Sequence, residues 1–162
     1  MGRGKNKARQ ATLVALNKSL GTRRMVEARP GDIFYDWDGE ICLHDPSGRN
    51  GGTISVFNVY EDNEMIASLS IEEIRGKEEL KWLRDFEGPY FNDITETSER
   101  FLILHSIFTR NDKRNQGVFR NLLMRLLAEA NRLPCAPVFI ELWSNWPLEQ
   151  WFEQHQKDDL LD

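Results

Sequence analysis

A chain of 162 residues has the length of one domain and can bury a substantial core. Its 40% hydrophobic and 29% charged residues are those of an ordinary globule, and without an apolar run of about 18 residues no membrane span is expected. The basic N-terminus has no apolar stretch behind it, so no secretory signal is expected. Cys42 and Cys135 lack CxxC spacing, exclude a cysteine metal cluster, and read as reduced thiols of a cytoplasmic protein, a disulfide between them being the alternative.

The charge is unevenly spread. Residues 1–24 hold seven basic groups (Arg3, Lys5, Lys7, Arg9, Lys18, Arg23 and Arg24) and no acid, leaving 14 basic groups against all 26 acids in the remainder. Such an arm can serve an acidic partner or a nucleic acid, or be a solvated terminus. The net charge of −5 argues against a dedicated nucleic-acid binder. Residues 1–9 read as a disordered arm, followed by a short helix from Ala8 to about Leu20 that stops at Gly21.

Ile33 to Leu43 holds two short apolar runs around Asp38-Gly39, a hairpin signal, and 45–52 (DPSGRNGG) is loop chemistry. Thr53–Tyr60 and Met65–Ile71 flank Glu61–Glu64 as a second hairpin rich in β-branched and aromatic residues. Residues 72–85 suggest a short helix, and 87–99 are irregular. Phe101 to Phe108 is apolar on both faces, as in a covered central strand. After the polar stretch Thr109–Gln116 and Gly117, apolar residues recur at spacings of three and four from Val118 to Asn131, predicting an amphipathic helix. Val138–Trp143 reads as a further buried strand, and Asn145 opens a last short helix over Leu148 to about Gln154.

The segment that carries chemistry is strand, Arg114-Asn115-Gln116-Gly117-Val118, helix. A sharp strand-to-helix turn exposes backbone N–H groups at the positive end of the helix dipole, which favours a phosphate or diphosphate. Gly117 permits close approach of a ligand, and Arg110, Lys113 and Arg114 surround the loop with cationic charge. Basic loops before helices are also common without a ligand.

This order of elements, with the loop at its centre, resembles the GCN5-related N-acetyltransferase (GNAT) family. That family's loop is Arg/Gln-x-x-Gly-x-Gly/Ala; Arg114 to Val118 match it through the first glycine, and Phe119 stands at the sixth position. The resemblance covers about residues 53–71 and 100–154. It implies an α/β (α+β) fold: a mixed, mostly antiparallel sheet with a splayed central strand, flanked by helices. Residues 10–162 then form one domain with its core at 53–154 and an insertion at about 72–99. It further implies acetyl-CoA as cosubstrate, with no metal, bound by Ile107, Phe108 and Thr109 along the strand, by Arg114, Asn115, Gln116, Gly117, Val118 and Phe119 at the loop, and by Asn145. Phe119, bulkier than the family's glycine or alanine, predicts a first helical turn displaced from the coenzyme.

The implied reaction is transfer of an acetyl group to a primary amine of a small molecule or peptide, for which a base must remove a proton. His105, four residues before Thr109, stands where the arylalkylamine branch of the family has a histidine base; the competing reading is a core histidine bonded to a backbone carbonyl. Glu141, between Ile140 and Leu142, is the second base candidate, or is simply paired. Where the family's last helix offers a tyrosine as general acid, this sequence has Phe152, which cannot donate a proton. The chain also stops short of the family's two final strands. These departures favour an alternative: a catalytically inactive GNAT-like module that docks a protein or nucleic acid, of the kind a phage accessory or virion-associated protein would use. A homo-oligomer that supplies the two strands fits either reading.

Overall fold

The computed structural model describes residues 2–48, 51–75, 100–132 and 138–140. Its spine is a pair of long antiparallel strands, β4 (Thr53–Glu61) and β5 (Glu64–Arg75), in which β-branched and aromatic residues suit the pleated backbone. Asp62 and Asn63, at φ 50° and 67°, form the tight two-residue turn between them. β1 (Arg24–Glu27) lies antiparallel to β4 and β6 (Arg100–Thr109) antiparallel to β5. β7 (Val138–Ile140) lies parallel to β6. The strand order is β1-β4-β5-β6-β7, a mixed and mostly antiparallel sheet, as the sequence led one to expect. A parallel neighbour demands a crossover, and α2 (Val118–Arg132) supplies it.

One face of this sheet is apolar. Phe57, Leu69, Ile71 and Leu104 meet Leu16 and Leu20 of α1 (Gly2–Leu20) and Leu122 and Leu126 of α2 in one buried cluster. Each such side chain contributes roughly 1.5–3 kcal/mol on leaving water. The two helices run antiparallel: Ser19 near the end of α1 donates to Asn121 Oδ1 near the start of α2 at 2.8 Å, and Arg9 meets Glu129 at 3.8 Å. No described helix is long and apolar enough to cross a membrane.

The other face is covered by a small hairpin of β2 (Ile33–Tyr35) and β3 (Ile41–Leu43). The expected turn forms, with Gly39 at φ 84° and Asp36 Oδ1 accepting from the amides of Asp38 and Glu40. Polar groups fasten the hairpin to the sheet. Asn58 Nδ2 donates to the Ile33 carbonyl at 2.9 Å, and the Tyr35 amide donates to Ser68 Oγ at 2.9 Å. The Tyr35 ring lies against Phe108, centroids 5.3 Å apart.

Three expectations change. The stretch 2–9, read as a disordered arm, is helical as part of α1, because its Lys, Ala and Arg residues are strong helix formers and Arg9 is tied to α2. β1 had no counterpart in the sequence reading, since a four-residue edge strand with charged ends has no periodic signal. Residues 72–75, read as the start of a helical insertion, extend β5 instead; Ile74 is fully buried and the stretch pairs with the first residues of β6. The rest of the expected insertion, 76–99, lies outside the described residues, as does the last helix.

Candidate functional site

β6 delivers the chain into a 3-10 turn (Asn111–Lys113) and then into the loop that opens α2. Asn115 at φ 63° and Gly117 at φ 84° reverse the direction within three residues, and asparagine and glycine are the residues that tolerate the left-handed region. The first intrahelical bond runs from the Asn121 amide to the Gly117 carbonyl. Among the described residues, the amides of Gln116, Gly117 and Val118 find no hydrogen-bond acceptor. Arg23 holds the loop from β1's side, donating to the Gln116 carbonyl at 3.1 Å and to Gln116 Oε1 at 2.7 Å. In a trans peptide the N–H points opposite to the carbonyl, so this clamp turns the Gly117 amide away from Arg23. A Cβ at Gly117 would meet nothing within 4 Å. Among the described residues, the space on the side-chain side of Gly117 is therefore open.

Thr109 closes β6 just before the loop. Its hydroxyl is buried and has no hydrogen-bond partner among the described residues, and its carbonyl accepts from Arg114 Nε at 3.1 Å. Phe119 is packed against the apolar cluster rather than standing free. Ile107 and Val118 likewise bury their side chains, so they offer a ligand main-chain groups alone. Phe108 is half-buried under the Arg114 guanidinium, 5.8 Å from its ring centroid.

The expected cationic rim is largely neutralised. Arg110 bonds Asp112 at 2.7 Å and Glu64 at 3.3 Å, and Lys113 bonds Glu61 at 2.7 Å. The hydrogen bond from Arg110 holds Asp112 down at about 2, and the hydrogen bond from Lys113 lowers Glu61. The acids come from the β4–β5 turn and from within the loop, a proximity invisible to spacing. An anion here would be held first by amides, with Arg114 as the cation that has no ion pair among the described residues.

His105 is set apart by a defect in the sheet. Ser70 lies opposite Ser106 and Ile71 opposite Leu104, so His105 is the extra residue of a β-bulge. Ile107 and Thr109 lie opposite Leu69 and Ala67 on the helix face, and strict alternation would send His105 there too. The bulge turns it to the hairpin face. There His105 Nε2 stands 2.6 Å from Oε1 of Glu72, whose side chain is 0% exposed. The second carboxylate oxygen accepts the Gly52 amide at 2.9 Å. The Glu72 carboxylate is thus one partner of this nearly buried histidine, a partner the sequence reading did not name. Glu72 was missed because its sequence context looks like a charged helix; only the pairing of β5 with β6 brings it to His105.

Cys42 is a half-buried free thiol on the hairpin; burial, then the neighbouring Asp36 carboxylate, raises its pKa, which disfavours a thiolate nucleophile. Among the described residues no group of three or more His, Cys, Asp or Glu side chains could hold a metal ion. Glu141, Asn145, Phe152 and Cys135 lie outside the described residues. Described pairing of β7 with β6 ends at Leu104 and Ile140, so the β7 side of Ser106–Thr109 has no strand partner among the described residues.

No protein-family model matches this chain, and no curated protein matches it in sequence.

Proposed function

We propose that the chain is an N-acyltransferase of the GNAT type, moving an acetyl group from acetyl-CoA to a primary amine of a small molecule or peptide in the cytoplasm. The observation that carries this reading is the set of amides at Gln116, Gly117 and Val118, without acceptors among the described residues, in a loop where no described atom lies within 4 Å of a Cβ placed on Gly117. A diphosphate is an anion of the right kind for a helix N-terminus of this form. The buried Thr109 hydroxyl, which has no partner among the described residues, also fits a polar ligand. The bound coenzyme would supply an activated thioester. His105 would take a proton from the acceptor ammonium, the amine nitrogen would bond to the thioester carbonyl carbon, and the C–S bond would break. The new amide nitrogen would lose its remaining extra proton to water, and water would reprotonate the released thiolate, since no tyrosine stands at Phe152.

The test is coenzyme A titration followed by melting. A ligand bound only by the native state stabilises it by about 2.7 kcal/mol at 100 times its Kd, so a rise in melting temperature is expected. A flat response at millimolar coenzyme rejects the site. Thioester consumption with a panel of amines then separates binding from reaction.

A non-catalytic docking role is favoured by one other feature. The outer face of the β2–β3 hairpin exposes Ile33, Ile41, Leu43 and Trp37, with Leu43 71% exposed. Coenzyme binding without turnover of any amine would support that role.

A further inference from the structure

We infer that the exposed face of the β2–β3 hairpin is the docking site for α1 of a second copy of this chain, in a head-to-tail contact. Residues 30–48 hold no lysine or arginine. Within them Ile33, Ile41 and Leu43 form one exposed apolar stripe, because Ile33 lies opposite Leu43 and Ile41 is two residues from Leu43 along β3. Exposed acids stand beyond both ends of the stripe, Asp38 and Glu40 at the turn and Asp45 at the base, and none has an ion pair among the described residues. The outward face of α1 has the opposite sign on the same plan. Lys7, Ala11, Val14 and Lys18 are spaced by four, three and four residues, so they share one side of the helix. All four are exposed, Val14 at 66%, and neither lysine has an ion pair among the described residues.

The two patterns match in length as well as in sign. The rise of a helix sets Lys7 and Lys18 about 16 Å apart, and extended backbone sets Glu40 and Asp45 about 16 Å apart. An apolar centre flanked by cations thus meets an apolar centre flanked by carboxylates. Two copies of net charge −5 repel each other at long range, so association needs a local patch of opposite sign, and the acid-free segment 1–24 supplies it. α1 packs on one face of the sheet and the hairpin on the other, so no copy can cover its own hairpin with its own helix. The contact is therefore heterologous, and each added copy leaves one helix and one hairpin free. So small a contact is weak and sensitive to salt.

The experiment is sedimentation of the full chain at rising concentration, up to about 1 mM. It is run in about 0.01 M salt, where charges act over about 30 Å, and again in about 1 M, where they act over about 3 Å. The mean mass should rise with concentration at low salt and fall back toward one chain at high salt. Lys7→Glu with Lys18→Glu, which keeps helix formers on α1, should remove the association, and so should Ile41→Thr with Leu43→Thr, which keeps strand formers on β3. All four positions are exposed, so both variants should melt as the wild type does. An equimolar mixture of the two variants restores one complementary contact, the intact helix of the threonine variant on the intact hairpin of the glutamate variant. That mixture should form a pair that grows no further. A wild-type mass that stays at one chain throughout leaves the hairpin to a different partner and overturns the contact. Association that survives the lysine reversal, or folded variants that fail to pair when mixed, overturns it too. The contact stands or falls independently of acetyl transfer.

Discussion

The two faces of the sheet follow opposite rules. Toward α1 and α2 the strands present Phe57, Val59, Leu69 and Leu104, and burial alone suffices to hold them there. Toward the β2–β3 hairpin, beside the apolar Val56 and Ile103, they present Asn58, Ser68, Ser70, Glu72 and Ser106, nearly as buried but polar. A buried polar face is stable only if its groups find partners, and here hairpin backbone, a bulged histidine and a glycine amide provide several of them. The apolar face is therefore tolerant in its details and sets the fold. The polar face depends on particular atoms and carries the candidate chemistry.

That contrast can be broken at four points. Leu122→Ala on the apolar face should cost the most, about 3–4 kcal/mol in denaturant unfolding, because the fully buried side chain leaves a cavity between α2 and the sheet; a loss below about 1 kcal/mol would mean the core collapses freely there. Glu72→Ala should cost about 3 kcal/mol, leaving both the His105 ring and the Gly52 amide without their shared acceptor. If Glu72→Ala were neutral while Leu122→Ala was not, the polar face would be dispensable to stability and the comparison would fail.

Gly117→Ala belongs to neither face and sharpens the contrast by isolating the loop. Its φ of 84° should strain alanine by about 1–2 kcal/mol, and the open space beside it means the loss comes from backbone conformation rather than a clash. Calorimetric melting reads this directly, and an unchanged melting temperature would show that the loop relaxes. The smallest effect is electrostatic. Asp112 is lowered from 3.8 to about 2 by the Arg110 hydrogen bond, and Glu61 is lowered by Lys113. A lowered carboxylate stabilises the fold above its unfolded pKa and loses that contribution as pH falls through the folded one, so the loop pairs should hold at neutral pH and let go between about 4 and 2. Asp112 is exposed and Glu61 only half-buried at the surface, so the global change should be slight. The Gly117 amide shift followed through an acid titration should move in that window; movement confined to pH above 5 would assign the loop's charges to other groups.

Much of the scaffold could be read from residue patterns. Asp38-Gly39, the alternating strands on either side of Glu61–Glu64, the apolar run through Leu104 and the spacing from Val118 to Leu126 all carry local signals, and each formed the expected element. Gly117 was recognisable because a strand meeting a helix needs such a residue. Less was readable of the site. Arg110 and Lys113 looked like cations available to a phosphate, and the acids that occupy them come partly from the β4–β5 turn. His105 was visible as a histidine in an apolar strand, but its orientation depends on the bulge and on Glu72, 33 residues earlier.

By itself the sequence determined the period of each main element, the turns that demand left-handed residues, and the place where a strand must become a helix. These are short-range matters, decided by propensity and by the spacing of apolar side chains. Tertiary structure alone decided that β5 continues through Glu72 to Arg75, that His105 faces a carboxylate rather than the apolar core, and which loop cations remain without an acid. Those outcomes turn on strand register and on charges brought together from distant positions, and a one-residue change of register reverses the face on which a side chain lies.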